Sequence, residues 1–173
     1  THALAAPRST QEYGRALAVI QSENQFMIRL VNNLLTLARM DSGQVVLHKE
    51  PLDLSDVILE VVERLAPVAQ KAGVRLATGD LPELPVLGDR QFLIQMLTNL
   101  VDNAIKFSAR AAAGSPNPLI VELSSGARRL PAGEYAWARV RDHGPGIAPE
   151  HLAHLFDRFY QVDAARSQAD REP

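Results

Sequence analysis

The sequence predicts an α+β fold: one long amphipathic helix, then a domain of short strands and two helices. Three observations carry this. A heptad pattern of apolar residues runs from about Gln11 to Met40. Behind it, apolar runs of strand length alternate with two stretches of helical period, and a pair of strand-like runs follows near the end. Hydrophobic residues make up 46% of the 173 and charged residues 22%, as in soluble globular domains. The formal net charge of -2 leaves no basic footprint for nucleic acid or anionic membrane. The absence of cysteine excludes disulfides, thiolate metal sites and a Cys nucleophile. No apolar run reaches the ~18 residues of a membrane span, and the first residues are not a signal peptide, so this chain is expected to be soluble.

The elements follow in order. The opening THALAAPRSTQ is small and turn-forming and reads as a loop. In the long helix Tyr13, Leu17, Ile20, Asn24, Met27, Val31, Leu34 and Ala38 alternate steps of four and three, an a/d seam with one polar member. About 30 residues make a rod of roughly 45 Å. Such a seam needs a second helix and the sequence offers none, so its expected partner is another chain or a segment outside this one; the alternative is a helix lying on its own domain. Asp41, Ser42 and Gly43 break the helix. Residues 45–53 read as a strand. Asp53 or Ser55 caps a helix to about Gln70, with Val57, Ile58, Val61, Val62 and Leu65 inward. Short strands are expected within 74–80 and 84–89, then a helix capped by Asp89 and ending near Phe107, a loop over 111–119, and an antiparallel strand pair at 119–126 and 135–144. Only short helical turns follow.

Two clusters carry chemistry. In LTNLVDNAIKFS, Asn99, Asn103 and Lys106 lie four and then three residues apart and share one helix stripe. An amide oxygen is a neutral, hard ligand suited to Mg²⁺, which keeps most of its waters and takes phosphate oxygens. Lys106, one turn on, suits a phosphate as a point charge, and Phe107 suits a base. Amides bridging to nearby loops and a solvated lysine would give the same letters. In VRDHGPGIAPE, an apolar strand ends in Asp142, followed by Gly144, Pro145 and Gly146. A carboxylate there can accept a hydrogen bond from an exocyclic amine, and glycine lets backbone approach a ligand closely. A plain turn also accounts for D-x-G-P-G.

Together these clusters resemble the N box and first glycine box of the GHKL, or Bergerat, ATP-binding fold. HLFDRFYQVDAARS resembles the F box of sensor histidine kinases, and LVNNLLTLARMDSGQ is similar to the end of their second dimerisation helix. The four motifs stand in family order from roughly Glu12 to Ser167. The resemblance implies residues 1–44 as loop and second dimerisation helix, and residues 45–173 as an incomplete Bergerat-type α/β sandwich, a mixed sheet with helices on one face. It implies ATP and Mg²⁺ as cofactors. Asn103 would hold the metal, Asn99 a phosphate or metal-bound water, and Lys106 a phosphate. Phe107 would line the adenine pocket, Asp142 would bind adenine N6, and Gly144, Gly146 and Ile147 would form the floor. The segment from Pro149 would be a lid, packed on the core by Phe156, Phe159 and Tyr160. It implies a homodimer through Leu17, Ile20, Asn24, Met27, Val31, Leu34 and Ala38, a response-regulator receiver domain as partner, and a cytoplasmic domain of an inner-membrane-anchored bacterial parent. That parent would move the γ-phosphoryl of ATP to a histidine and then to an aspartate.

The sequence departs from the family in three places. A second glycine box is absent, and truncation at both ends is expected. HALAAP keeps His2, Leu4 and Pro7 of a phosphoacceptor motif, but only one helix fits between Pro7 and the Asp41–Gly43 break, and Ala3 stands where a carboxylate base is needed. The chain is therefore expected to lack the histidine its parent would phosphorylate, and to be inactive alone in autophosphorylation. Gln161 replaces an arginine found in many relatives; Arg158 or Arg166 is left to serve the γ-phosphate. Within the fold, hydrolytic relatives carry a Glu four residues before the metal Asn; here that position is Asn99, and an amide cannot activate water. A dimeric, non-catalytic signalling scaffold is the rival of another class.

Overall fold

The computed structural model describes residues 9–43, 46–111, 119–157, 160 and 162. The chain divides into two compact units, Thr1–Leu47 and His48–Pro173.

The first unit is the helix α1, Thr10–Asp41. It starts with a reciprocal cap. The Glu12 amide donates to Ser9 Oγ at 3.3 Å, and the Ser9 amide donates to the Glu12 carboxylate at 2.8 Å. The Ser9 amide, and after it the Ser9 hydroxyl, hold the Glu12 carboxyl below its ordinary range. At the other end Gly43 takes φ 67°, where a side chain would be strained. The seam residues Leu17, Ile20, Asn24, Met27, Val31, Leu34 and Ala38 are all exposed, Leu17 by 64%. Ile28 and Leu35, one step beyond the seam, are exposed too and widen the apolar stripe past a strict a/d line. Among the described residues no helix is long and apolar enough to cross a membrane.

The second unit runs β1 (Glu50–Asp53), α2 (Leu54–Lys71), β2 (Val74–Thr78), β3 (Pro85–Gly88), α3 (Arg90–Ala111), β4 (Leu119–Leu130), β5 (Gly133–Arg141) and α4 (Pro149–Leu152). β2, β4 and β5 form a mixed sheet in the order β2-β4-β5, with β2 parallel to β4 and β4 antiparallel to β5. β1 and β3 form a separate antiparallel pair. α2 and α3 pack on the sheet through one apolar cluster. It joins Val57, Ile58, Val61 and Leu65 of α2, Leu97, Val101, Ala104 and Ile105 of α3, and Val121 and Leu123 of β4. Each of the larger of these side chains contributes about 1.5–3 kcal/mol on burial. This is the mixed sheet backed by helices that the sequence predicts.

Polar contacts fix how the helices enter. Asp53 caps α2, accepting from the Ser55 amide at 2.7 Å and, through its other oxygen, from the Leu84 amide at 3.0 Å. Ser55 Oγ donates to the Pro82 carbonyl at 2.7 Å and lies 2.9 Å from Ser125 Oγ, tying the start of α2 to the middle of β4. Asp89 caps α3, accepting from the amides of Gln91 and Phe92 at 3.1 and 3.2 Å, and also from the His48 amide at 2.9 Å. The Phe92 amide first, then those of His48 and Gln91, hold its carboxyl below the ordinary range against a smaller opposing effect of desolvation. Arg90 meets Glu60 at 2.6 Å across the two helices.

Some boundaries differ from expectation. The first strand covers only Glu50–Asp53 rather than 45–53, because its partner β3 offers just four residues, Gly88 to Pro85; Val46 and Leu47 are exposed. α3 runs on to Ala111, since the Ala and Arg that follow Phe107 are good helix formers. β4 and β5 meet in a tight hairpin with Leu130 opposite Gly133, so pairing rather than burial carries the strands beyond their apolar cores. Most of the loop expected at 111–119 lies outside the described residues.

Candidate nucleotide site

α3 is amphipathic in an unusual way. Leu97, Val101, Ala104, Ile105 and Ser108 are buried, while Asn99, Asn103 and Lys106 stand exposed on the opposite side. The Lys106 ammonium donates to the Asp102 carboxylate at 2.5 Å, an i,i+4 pair. Phe107 is 44% exposed, and the Arg110 guanidinium lies 5.5 Å from its ring centroid. Neither Asp102 nor Arg110 was singled out by sequence reasoning, although the spacings of four and three were visible signals.

β5 ends at Arg141 and delivers Asp142 to the same end of α3. The Gly144 amide donates to Asp142 Oδ1 at 2.8 Å, closing a turn. His143 Nδ1 lies 2.8 Å from the Ile120 carbonyl and pins that turn to β4. A Cβ placed on Gly144 would lie 2.9 Å from Asp142 Oδ1, 3.1 Å from Phe107 Cβ and 3.4 Å from the Phe107 carbonyl carbon. The glycine turn therefore rests directly on α3, and Phe107, Asp142 and Gly144 meet. Gly146 takes φ 74° with open space around it. Ile147 is exposed beside it.

The segment after Gly146 forms the one turn of α4 and further local turns. Tyr160 is half-buried, its hydroxyl hydrogen-bonded with His151 Nδ1. Phe156 is 97% exposed and does not pack the segment on the core as expected. The turn that carries it is closed by local contacts, the Asp157 amide donating to the His154 carbonyl at 2.9 Å and His154 Nδ1 2.7 Å from Asp157, and these leave the ring outward. Arg158, Phe159, Gln161, Arg166 and His2 lie outside the described residues.

The exposed donors suit a cation brought in by its ligand. Among the described residues no group of three or more His, Cys, Asp or Glu could cage a metal. An exposed amide oxygen such as that of Asn103 could hold Mg²⁺ that arrives with phosphates and keeps several waters. The lack of a side chain at Gly144 is what lets the turn seat against Phe107 of α3.

Residues 88–172 match the family described as histidine kinase-, DNA gyrase B-, and HSP90-like ATPase. The chain is 37% identical to the sensor histidine kinase YkoH of Bacillus subtilis, over 88% of its own length and 30% of the relative's. It is 34% identical to the sensor histidine kinase CusS of Escherichia coli O157:H7, over 96% of its own length and 32% of that protein's. In structure it resembles full-length ShkA crystallised in complex with AMPPNP, with a TM-score of 0.68 and 28% identity, covering 91% of this chain and 32% of ShkA. The chain thus spans about a third of the length of each of these proteins.

Proposed function

Because residues 88–172 match the family described as histidine kinase-, DNA gyrase B-, and HSP90-like ATPase, and the chain is similar to sensor histidine kinases along most of its length, we propose that it is the ATP-binding catalytic part of such a kinase. The observation that carries this reading is the seat of the glycine turn on α3, which puts Phe107, Asp142 and Gly144 at one place beside the exposed Asn99 and Asn103. Adenine would lie against Phe107 and the turn, with Gly144, Gly146 and Ile147 beneath it. The Asp142 carboxylate accepts from the adenine amine; guanine presents an acceptor there and would be repelled. Asn103 would take the Mg²⁺, Asn99 a phosphate or metal-bound water, and Lys106 a phosphate, with Arg158 serving the γ-phosphate. Bound Mg²⁺ would neutralise phosphate charge; the protein's share is positioning and electrostatics.

The reaction of the parent is phosphoryl transfer. The γ-phosphoryl passes to an imidazole nitrogen of a histidine outside this chain, ADP leaves, and the phosphoryl then moves to a receiver-domain aspartate. Hydrolysis is the weaker reading, because Asn99 stands where a general base would be needed. The exposed stripe of α1, widened by Ile28 and Leu35, suits burial against more than one helix in a homodimeric bundle. The parent would be a membrane-anchored sensor with this part in the cytoplasm.

Calorimetric titration with ATP, in excess Mg²⁺ and in chelator, tests the site. Asn103→Ala should lose the Mg²⁺-dependent affinity, by about ten-fold or more, while its circular dichroism stays that of the parent chain. Unchanged affinity in Mg²⁺ would remove Asn103 from the metal.

A further inference from the structure

The Lys106–Asp102 pair does not point toward the glycine turn. On α3, at about 100° per residue, Asn99, Asn103 and Lys106 fall within a stripe roughly 60° wide. Phe107, which touches the turn, lies on one flank of that stripe, and Asp102 lies on the other, about 140° round the helix from Phe107. The pair therefore draws the Lys106 ammonium away from the side where the turn meets the helix.

We propose that Asp102 is a positioning residue that holds Lys106 off the phosphate site in the nucleotide-free protein and gives it up when Mg-nucleotide binds. This rests on the nucleotide reading above. Binding exchanges one partner of the ammonium for another, and the cost of that exchange lowers apparent affinity. The two side chains are 60% and 38% exposed, so the effect is limited. An exposed pair of this kind corresponds to about 1.4- to five-fold in an equilibrium constant. Nucleotide affinity is thereby lowered by a single charge that does not itself touch ATP.

The test is a double-mutant cycle on the whole chain, with Mg-ATP affinity measured by calorimetry for the wild type, Asp102→Asn, Lys106→Met and the double variant. Asp102→Asn should bind about 1.4- to five-fold more tightly, with a gain that shrinks at high ionic strength. In the Lys106→Met background the same substitution should gain less than half as much. Asp102→Glu, which keeps the pair, should bind as the wild type does. Weaker binding by Asp102→Asn, or an equal gain with and without Lys106, overturns the proposal, the latter showing plain repulsion of phosphate by Asp102. Absence of Mg-ATP binding by folded wild-type chain overturns the nucleotide reading itself, and the role of Asp102 with it. Thermal unfolding of each variant guards against a fold defect, which would show as a lowered Tm together with weaker binding.

Discussion

Gly144→Ala probes the seat of the turn on α3. Gly144 does not take a left-handed φ, so alanine meets no backbone penalty and the cost is purely one of space. The new Cβ would meet two neighbours of different stiffness. Asp142 Oδ1, at 2.9 Å, is the end of a side chain and can rotate away, but it then gives up its 2.8 Å bond from the residue 144 amide. Phe107 Cβ, at 3.1 Å, and the Phe107 carbonyl carbon, at 3.4 Å, belong to a packed helix and cannot rotate. The turn must therefore lift from the helix by several tenths of an ångström. Overpacking of this size costs about 1–3 kcal/mol, or roughly 2–4 °C in Tm for each kcal/mol in a chain of this length. The same movement displaces the Asp142 carboxylate. Loss of a charge-assisted hydrogen bond to the adenine amine, about 1.5–3 kcal/mol, would weaken ATP by about ten-fold or more. Differential scanning calorimetry and ATP titration read the two effects. Gly146→Ala is the internal comparison for stability: it has room but takes φ 74°, so in Tm it should show only the local strain of about 1 kcal/mol. A Gly144→Ala variant with the Tm and ATP affinity of the wild type would refute the close packing from which this is worked.

Other substitutions test separate links. Asp142→Ala should lose discrimination between ATP and GTP; retained discrimination in competition titrations would take Asp142 out of the base site. The Asp89 carboxyl is held low by the amides it caps, so its contribution is fully present above the ordinary aspartate range and is lost as pH falls through its lowered value. Asp89→Asn should therefore flatten the fall of Tm at acid pH below about 4, and an unaltered pH profile would count against the cap. Leu17→Asp with Val31→Asp should turn a dimer into a monomer in analytical ultracentrifugation without changing ATP affinity; an unchanged mass would show that the α1 stripe is not the dimer seam.

How far the sequence could be read follows from which forces were local. The caps at Asp53 and Asp89 were legible because a capping side chain bonds to amides two and three residues on. The polar stripe on α3 was legible because helical spacing alone puts Asn99, Asn103 and Lys106 on one side. The meeting of Phe107 with Gly144 was not, since nothing in the letters near position 107 reports a turn thirty-seven residues away. The Asp102–Lys106 and Phe107–Arg110 pairs were local and were overlooked beside the stronger amide pattern. Over residues 46–49 the excess length expected of the first strand came from reading Val46 and Leu47 as paired, when strand length is set by the partner, here only Pro85–Gly88. The outward Phe156 shows the same limit: an apolar residue in a mobile-looking motif suggests packing, and local turns decided otherwise.

The measurement to make first is a map of backbone amide shifts by two-dimensional nuclear magnetic resonance as Mg-ATP is added to the isotopically labelled chain. The expected result is saturable movement of Asn99, Asn103, Lys106, Phe107, Asp142, Gly144 and Gly146, with Gly133 at the far tip of the β4–β5 hairpin unmoved. No saturable shift in a folded chain, or shifts gathered away from the α3 face and the glycine turn, would contradict a nucleotide site between them.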